Sequence, residues 1–275
     1  MLNLQSTVTL NNGVKMPILG LGVWKSEEGS EAYNAVRYAI DAGYRHIDTA
    51  AIYGNEQSVG RAIKESGVDR SELFITTKLW NEEMRRDNQY AAFEASLERL
   101  GLDYVDLYLI HWPVAQKYVP SWKVLEKIYA EGRARAVGVS NHHIRHLEDI
   151  FAASELVPAV NQVECSPQLT QVDLADYCKS KGIQFEPWSP LGTGLVLDNP
   201  VLKEIAASYG KSTAQIILRW GLQRGFVNIP KSSNKERIIE NTRLFDFELS
   251  DGDMQKIFAL DKGIRTGASP ETFTF

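Results

Sequence analysis

Cysteine is scarce in this sequence. Only Cys165 and Cys178 occur among its 275 residues, and they do not form a Cys-x-x-Cys pair. Small secreted domains depend on several disulfides, so this count excludes a disulfide framework and indicates a reducing compartment. We therefore expect a cytoplasmic protein.

Long apolar runs and a surplus of positive charge are also missing. No run reaches the roughly 18 consecutive apolar residues that a membrane-spanning helix needs, and the opening MLNLQSTVTLNNG lacks the basic and apolar regions of a signal peptide. The formal net charge is −5 at pH 7. Nucleic acids and anionic membranes select basic surfaces, so we expect neither as a partner.

The chain has no segment that resembles a linker. Stretches rich in Pro, Gly or Ser, charge blocks and low-complexity regions are absent, and hydrophobic residues make up 44% of the chain. This composition suits one large core. The length exceeds the usual domain size, but α/β barrels reach it as one domain. We therefore expect a single domain over residues 1–275. We also expect the protein to act as a monomer.

Short apolar runs alternate with longer segments of helical period along most of the chain. The predicted strands are residues 19–22, 46–48, 73–78, 105–111, 134–140, 160–164, 184–188 and 226–230. The predicted helices include residues 30–42, 86–100, 171–181, 212–224 and 235–242. Ser30 and Ser212 are the expected N-caps, and a glycine follows most of these helices.

The order of these elements favours a barrel. The predicted strands are mainly apolar runs and do not alternate, which is typical of a parallel sheet buried on both faces. Eight strand–helix units over about 250 residues match a (β/α)8 TIM barrel. A β-hairpin precedes it, since residues 7–10 alternate and Asn12-Gly13 is a favoured two-residue turn. The competing fold, a doubly wound sheet, would bind a dinucleotide at GxGxxG, and the third glycine of that motif is missing after Gly20 and Gly22.

Polar residues stand at the ends of several predicted strands. Asp48, Lys78 and His111 end three consecutive strands with spacings of 30 and 33 residues, and Tyr53 lies in the loop after Asp48. Taken singly, each has an ordinary role as a helix cap, an exposed strand end, a core histidine or a packing tyrosine. Active sites of β/α barrels lie at the carboxyl ends of the strands, so their joint placement favours a site. Further polar residues at strand ends are Ser140, Asn141, Gln162, Glu164 and Lys231.

The four side chains permit a specific chemistry. A phenol titrates at about 10, so Tyr53 donates a proton well only when its pKa is lowered, and the ammonium of Lys78 beside it would lower it. Asp48 would hold that ammonium, and His111 would orient a substrate carbonyl through an N–H group. The set contains no electron source, so the reaction needs an external hydride donor.

Tryptophans indicate where such a donor and its substrate bind. Trp24, Trp80, Trp112 and Trp188 lie at or just past strand ends, where they either wall a pocket or fill the core. Trp188 is placed to stack on a nicotinamide ring. We expect the substrate to contact Trp24, Trp80, Trp112 and His111.

Basic residues after the last predicted strand indicate a phosphate site. The segment IPKSSNKER (229–237) puts Lys231 and Arg237 around a predicted helix start. Such a start is either a phosphate site, common at this place in β/α barrels, or an ordinary solvated helix end. Two cations favour NADPH over NADH, because the additional 2′-phosphate needs charged donors.

Several long motifs together resemble the aldo-keto reductase family nearly end to end. They are GYRHIDTAAIYGNE (43–56), LYLIHWP (107–113), GVSN (138–141), VNQVE (160–164), PWSPL (187–191) and IPKS (229–232). The chain is most similar to the prokaryotic branch that includes 2,5-diketo-D-gluconate and methylglyoxal reductases. The resemblance implies a (β/α)8 barrel that binds NADPH without a Rossmann domain and reduces the carbonyl of small aldehydes or ketones, such as 2-oxoaldehydes and keto sugars.

The resemblance also implies residue roles. Asp48, Tyr53, Lys78 and His111 correspond to the catalytic tetrad. The expected cofactor contacts are Gly22, Val23, Trp24, Asp48, Ser140, Asn141, Gln162, Trp188, Ser189, Leu191, Lys231, Ser232, Ser233, Arg237, Glu240 and Asn241. Among these, the nicotinamide contacts are Ser140, Asn141, Gln162 and Trp188, and the 2′-phosphate contacts are Lys231, Ser232 and Arg237.

The sequence departs from the family pattern in two places. ECSP (164–167) stands where EFHP is frequent, and His142-His143 replaces a single aromatic residue. Both can alter the pocket wall. His142, His143 and His146 do not have the spacing of HExxH, so no metal site is expected.

Two other functions remain as alternatives to the reductase. One is a barrel lyase in which Lys78 forms a Schiff base with a carbonyl substrate. The other is a non-catalytic module that binds NADPH. A rim of tryptophans and a tail that ends soon after Pro270 favour small, electron-poor substrates, because little chain remains to build a deep pocket.

Overall fold

The computed structural model describes residues 2–275 and contains an antiparallel hairpin and a parallel sheet. The strands are β1 Thr7–Thr9, β2 Lys15–Pro17, β3 Leu21–Gly22, β4 His46–Asp48, β5 Phe74–Leu79, β6 Val105–Ile110, β7 Ala134–Ser140, β8 Val160–Glu164 and β9 Gln184–Trp188. The helices are α1 Ser30–Asp41, α2 Glu56–Glu65, α3 Asn81–Arg85, α4 Gln89–Leu100, α5 Tyr118–Ala130, α6 Ile144–Ala153, α7 Val172–Ser180, α8 Pro200–Tyr209, α9 Thr213–Gln223, α10 Lys235–Glu240 and α11 Asp251–Phe258. Short 3-10 turns occupy Ala51–Tyr53, Arg70–Glu72 and Gly192–Gly194.

Strands β3 to β9 pair in chain order, and an eighth, irregular segment closes them into a barrel. Val227 N donates to a carbonyl of β9 at 3.4 Å. On the other side, Gly20 N donates to Asn228 O at 2.8 Å and Gly22 N to Pro230 O at 3.2 Å. Because Pro230 has no N–H, the predicted eighth strand forms isolated bridges and not a continuous ladder. The predicted (β/α)8 barrel with an N-terminal hairpin is confirmed.

Some local predictions are wrong. Ser30 is the first residue of α1, and Gly29 precedes it without a side-chain capping bond. The predicted helix over 86–100 begins only at Gln89, as α4, because Asp87 adopts a left-handed φ of 54° between α3 and α4. The hairpin loop has three residues where two were expected, and it ends at Gly13 with φ of 88°.

The hairpin closes the amino end of the barrel. Its residues Leu10 and Met16 are buried in one apolar cluster with Leu107, Leu109 and Val227. Burial of each such side chain stabilises the fold by about 1.5–3 kcal/mol. This packing leaves the opposite end, where the strands have their carboxyl ends, for a ligand.

Candidate active site

A cavity of about 310 Å³ lies at the carboxyl ends of the strands. Its walls come from residues that follow the barrel strands and from the C-terminal tail, which we define as residues 263–275. The predicted site residues that line it are Gly22, Trp24, Asp48, Tyr53, Trp80, His111, Trp112, Asn141, Gln162, Trp188, Ser189 and Lys231. The structure therefore brings together residues that are up to about 200 positions apart in the chain.

The four predicted catalytic residues belong to three neighbouring strands. Asp48 ends β4, Lys78 lies one residue before the end of β5, and His111 follows β6. Tyr53 ends the 3-10 turn after β4. Because β4, β5 and β6 pair side by side in register, these side chains meet at the same edge of the barrel.

Lys78 connects the acidic and phenolic groups. Its Nζ donates to Asp48 Oδ1 at 2.7 Å and to Thr49 O at 2.8 Å, and it lies 3.5 Å from the Tyr53 hydroxyl. The side chain of Lys78 is fully buried. A buried ammonium is stable only with such partners, so its position and direction are fixed.

Burial changes the titration of both Lys78 and Tyr53. Burial acts to lower the pKa of Lys78, but the charges of Asp48 and Tyr53 outweigh it and the pKa is raised, so Lys78 stays a cation. Burial also raises the pKa of Tyr53, and Lys78 offsets only part of this rise. The expectation of a Tyr53 pKa below its ordinary value is therefore wrong for this structure. Tyr53 is kept in the protonated form that a proton donor needs.

His111 is a neutral imidazole at the cavity wall. Burial, together with the nearby charge of Lys78, holds its pKa well below the ordinary value. Its ring meets Tyr53 and Trp80 edge-on, at centroid distances of 5.7 and 5.3 Å. Its Nδ1 is buried and has no hydrogen-bond partner within residues 2–275, and the ring lines the cavity. One ring N–H of a neutral histidine can therefore be directed at a ligand.

Amide and indole groups form the adjoining wall. Trp188 Nε1 donates to Asn141 Oδ1 at 2.8 Å, and Asn141 Nδ2 donates to His111 O at 3.0 Å. Asn141 has a left-handed φ of 62°, which asparagine tolerates better than most residues. Ser140 lies behind this wall, where its hydroxyl donates to Gln162 O at 2.7 Å.

The side-chain amide of Gln162 is hydrogen-bonded to two carboxyl groups. Gln162 Nε2 donates to Asp48 Oδ2 and to Glu186 Oε2, both at 2.8 Å. Glu186 lies on β9 and is fully buried. The sequence gives one signal for Glu186, which is a carboxyl group inside a mainly apolar predicted strand.

The predicted phosphate-binding residues lie outside the cavity, apart from Lys231. Lys231 Nζ lies 3.7 Å from Glu31 Oε1, an ion pair that no sequence pattern indicates. Asn234 caps α10, since its Oδ1 accepts from Arg237 N at 2.9 Å, and its own N donates to Ser232 Oγ at 3.1 Å. The predicted contacts that do not line the cavity are Val23, Ser140, Leu191, Ser232, Ser233, Arg237, Glu240 and Asn241.

The C-terminal tail forms a wall that the sequence does not predict. Glu164 Oε1 accepts hydrogen bonds from the backbone N of Thr266 at 2.5 Å and of Gly267 at 3.2 Å. Gly267 lies against Trp188 so closely that a Cβ atom there would be 2.5 Å from the indole ring. Only glycine fits this contact, and it brings the tail across the cavity.

The end of the tail completes an aromatic rim. Phe275 stacks on Trp80 with ring centroids 6.0 Å apart and meets Trp112 edge-on at 5.1 Å. Trp24 also lines the cavity and remains 43% exposed. The expectation that little chain remains to shape the pocket is therefore wrong, because the tail itself supplies part of its wall.

The three histidines near α6 have structural partners. His142 Nδ1 lies 2.8 Å from Ser140 O, and His146 Nδ1 accepts from His143 N at 3.0 Å. His143 Nδ1 lies 2.6 Å from Glu271 of the tail. No group of three or more metal-ligating side chains is found in the part of the chain that the structure describes.

Comparisons with known proteins agree with this geometry. The model of the Aldo/keto reductase family matches residues 18–262. Glyoxal reductase of Bacillus subtilis is 58% identical, over 99% of both chains. The 9,11-endoperoxide prostaglandin H2 reductase of Trypanosoma cruzi is 51% identical, over 97% of this chain and 95% of its own. A Bombyx mori aldo-keto reductase solved in complex with NADP has a TM-score of 0.90 at 39% identity, covering 96% of this chain and 95% of its own. The chain is a member of the aldo/keto reductase family.

Proposed function

We propose that Tyr53 is the proton donor of this NADPH-dependent carbonyl reductase, and that Lys78, Asp48 and His111 complete its catalytic group. NADPH supplies the hydride that reaches the carbonyl carbon of an aldehyde or ketone. The carbonyl oxygen takes the proton of Tyr53, and the product is an alcohol. The observation that carries this assignment is the Lys78 ammonium, 2.7 Å from Asp48 and 3.5 Å from Tyr53 behind the cavity wall. Replacement of Tyr53 by Phe tests it.

The cation behind Tyr53 gives the proton transfer its physical basis. Once the phenol has lost its proton, the phenolate faces the Lys78 ammonium, and their attraction is strong away from water. Asp48 and Thr49 O keep the ammonium from turning away. A proton from bulk water then restores Tyr53 before the next turnover.

The chain's own residues fit a nicotinamide at this place. Asn141, Gln162 and Trp188 line the cavity beside Tyr53, and they offer amide groups and a flat aromatic face. Gly22 also lines the cavity, and it lets β3 approach the neighbouring barrel segment closely, since a Cβ there would lie 2.9 Å from Ile229 O. We propose these residues as the nicotinamide contacts, with Asn141 and Gln162 holding the carboxamide and Trp188 stacking on the ring.

The Schiff-base alternative is not favoured. A lysine becomes a nucleophile when its pKa is lowered so that the amine is neutral. Lys78 has the opposite setting, with a raised pKa and two hydrogen-bond acceptors at its ammonium. The non-catalytic alternative is disfavoured by a complete catalytic group.

We expect His111→Ala to change which carbonyl compounds are reduced. The His111 ring lines the cavity, and a ring N–H there would fix the direction of the carbonyl oxygen, so its loss affects bulky and small substrates unequally. Loss of one such donor costs about 10²–10³ in kcat. The measurement is kcat/KM over a substrate panel, with NADPH affinity as the control. An unchanged ranking of substrates would contradict this role.

We further propose that the substrates are small, electron-poor carbonyl compounds such as 2-oxoaldehydes. The cavity holds about 310 Å³ and has aromatic walls from Trp24, Trp80, Trp112 and Phe275. The similarity to a glyoxal reductase supports the same class. In an assay that follows NADPH absorbance, we expect 2-oxoaldehydes to give higher kcat/KM than aldoses, keto sugars or steroids. Steroids as the better substrates would overturn the proposal.

A monomer in the cytoplasm is also proposed. Among residues 2–275, no helix is both long enough and apolar enough to span a membrane. Cys165 and Cys178 are buried and unpaired, which suits a reducing compartment. A solution mass of one chain, 30.9 kDa, would support the monomer, and twice that mass would contradict it.

A further inference from the structure

Glu186 is a buried acid that the proposed reaction does not use. It lies on β9 two residues before Trp188, and the parallel register of β8 and β9 places it beside Gln162. Its side chain has no exposed surface. A carboxyl group in such a place costs several kcal/mol when it is ionised, so its presence needs a reason.

The contacts of Glu186 fix the orientation of the Gln162 amide. A side-chain amide nitrogen carries two hydrogens, and those of Gln162 point to Glu186 Oε2 and to Asp48 Oδ2, at 2.8 Å each. A flip of the amide would set its oxygen against Asp48 Oδ2, which belongs to the carboxylate that pairs with Lys78 and has no hydrogen to donate. Gln162 Oε1 is thus left as the acceptor at the cavity wall, where the nicotinamide contact is proposed.

The charges around Glu186 favour its neutral form. Its titratable neighbours are Asp48 and His46 of β4, Lys78 of β5, and Tyr53 of the turn after β4. Lys78 pairs with Asp48 at 2.7 Å, so one cation serves two carboxyl groups. His46 gives no charge, because burial and Lys78 lower its pKa to about 3. Burial and the charge of Asp48 raise the pKa of Glu186 to about 8, against smaller opposing effects of Gln162 and Lys78.

We propose that neutral Glu186 is a positioning residue, which orients Gln162 and Asp48 and sets the alkaline limit of carbonyl reduction. The inference rests on the proposed function of the site. When Glu186 loses its proton, a second negative charge stands near Lys78. This charge adds to the rise in the pKa of Tyr53 and opposes the phenolate that proton donation creates. Donation therefore slows, although no group that touches the substrate has titrated.

The first test uses the protein without cofactor. The folded-state pKa of Glu186 lies above its unfolded value, so its stabilising contribution is complete below the unfolded value of 4.5 and is lost as pH rises to about 8. Glu186→Gln has no proton to lose. We expect the Tm of Glu186→Gln relative to that of the wild type to rise steadily over this window. Above the window, we expect the difference between the two Tm values to stay constant. A difference that does not vary with pH would overturn the proposal.

The second test separates position from charge in the enzyme at work. Glu186→Gln keeps an acceptor oxygen for Gln162, whereas Glu186→Ala removes it. We expect the wild-type kcat to fall by up to about tenfold between roughly pH 7 and pH 9, as the neutral fraction of Glu186 falls. Glu186→Gln should keep its rate over this range. Glu186→Ala should weaken NADPH binding at every pH, and Glu186→Gln should restore it.

A matched control is Glu56→Gln. Glu56 is also buried, but it pairs with Arg99 on the outside of the barrel. The fall of kcat at alkaline pH, which we call the alkaline limb, should therefore stay as in the wild type. The same limb in Glu186→Gln as in the wild type would overturn the charge role, and wild-type NADPH affinity in Glu186→Ala would overturn the positioning role. Failure of the proposed catalytic group would give a different result. Tyr53→Phe would then keep full activity, while the pH dependence of Tm in the wild type and in Glu186→Gln would still differ as expected above pH 4.5.

Discussion

Tyr53→Phe is expected to lower kcat by about 10²–10⁴-fold, the range of general acid catalysis, while NADPH still binds. The change removes one oxygen atom from the cavity wall. Lys78 keeps its bonds to Asp48 and Thr49 O, so the surrounding geometry should persist. Without the phenol, no group at the wall can deliver a proton as the carbonyl oxygen gains charge, because His111 is neutral and Lys78 lies behind the surface.

The measurement is steady-state kcat with a 2-oxoaldehyde, together with the NADPH dissociation constant from quenching of tryptophan fluorescence. Tyr108→Phe is the matched control. Tyr108 is fully buried on β6, and its hydroxyl has no hydrogen-bond partner among the described residues. Its kcat should equal that of the wild type. A loss below about tenfold in Tyr53→Phe would show that another group donates the proton.

The barrel was predictable because its signals are periodic. Asp48, Lys78 and His111 follow one another at intervals of about one strand–helix unit, and consecutive strands of such a barrel are neighbours. The intervals alone therefore place these residues together, and the structure shows them on β4, on β5 and just after β6. The predicted fold, family and NADPH dependence are confirmed by the family model and by the relatives. The residue roles stay predictions.

Contacts between distant segments could not be predicted from regular spacing in the sequence. Glu31 pairs with Lys231 across 200 positions, and Glu164 holds the backbone of Thr266 and Gly267. No period or motif links these positions, since each contact depends on how a loop or tail folds back over the barrel. The sequence therefore shows only the length of the tail, although the tail forms part of the cavity wall.

The titration of Tyr53 was not predictable either. The sequence indicates which charged residues lie at the same edge of the barrel, and the charge of Lys78 alone should lower the pKa of Tyr53. Burial acts against it, and it depends on how completely the surrounding loops exclude water. In the structure burial is the larger effect. Chemistry that depends on a balance of charge and desolvation needs the packed structure.

Arg237→Ala is expected to weaken NADPH binding by roughly ten- to a hundredfold and to leave NADH binding almost unchanged. The two cofactors differ by one 2′-phosphate. A hydrogen bond to a charged group contributes about 1.5–3 kcal/mol, and about 1.4 kcal/mol corresponds to a tenfold change. Arg237 lies in the capped first turn of α10, and its side chain is exposed. Lys231 is nearby in sequence, but its ammonium already pairs with Glu31. Arg237 is thus the cation we expect to carry most of the phosphate preference.

The experiment titrates both cofactors against the wild type and Arg237→Ala and follows tryptophan fluorescence, which Trp188 in the cavity wall should report. Arg243→Ala is the matched control, since Arg243 is an exposed arginine just after the same helix. It should leave both affinities as in the wild type. Equal losses for NADPH and NADH in Arg237→Ala would show that Arg237 supports the local fold and does not hold the phosphate. A selective loss of NADPH affinity would place the 2′-phosphate at α10, outside the catalytic cavity, and would fix the direction in which the cofactor lies across the barrel.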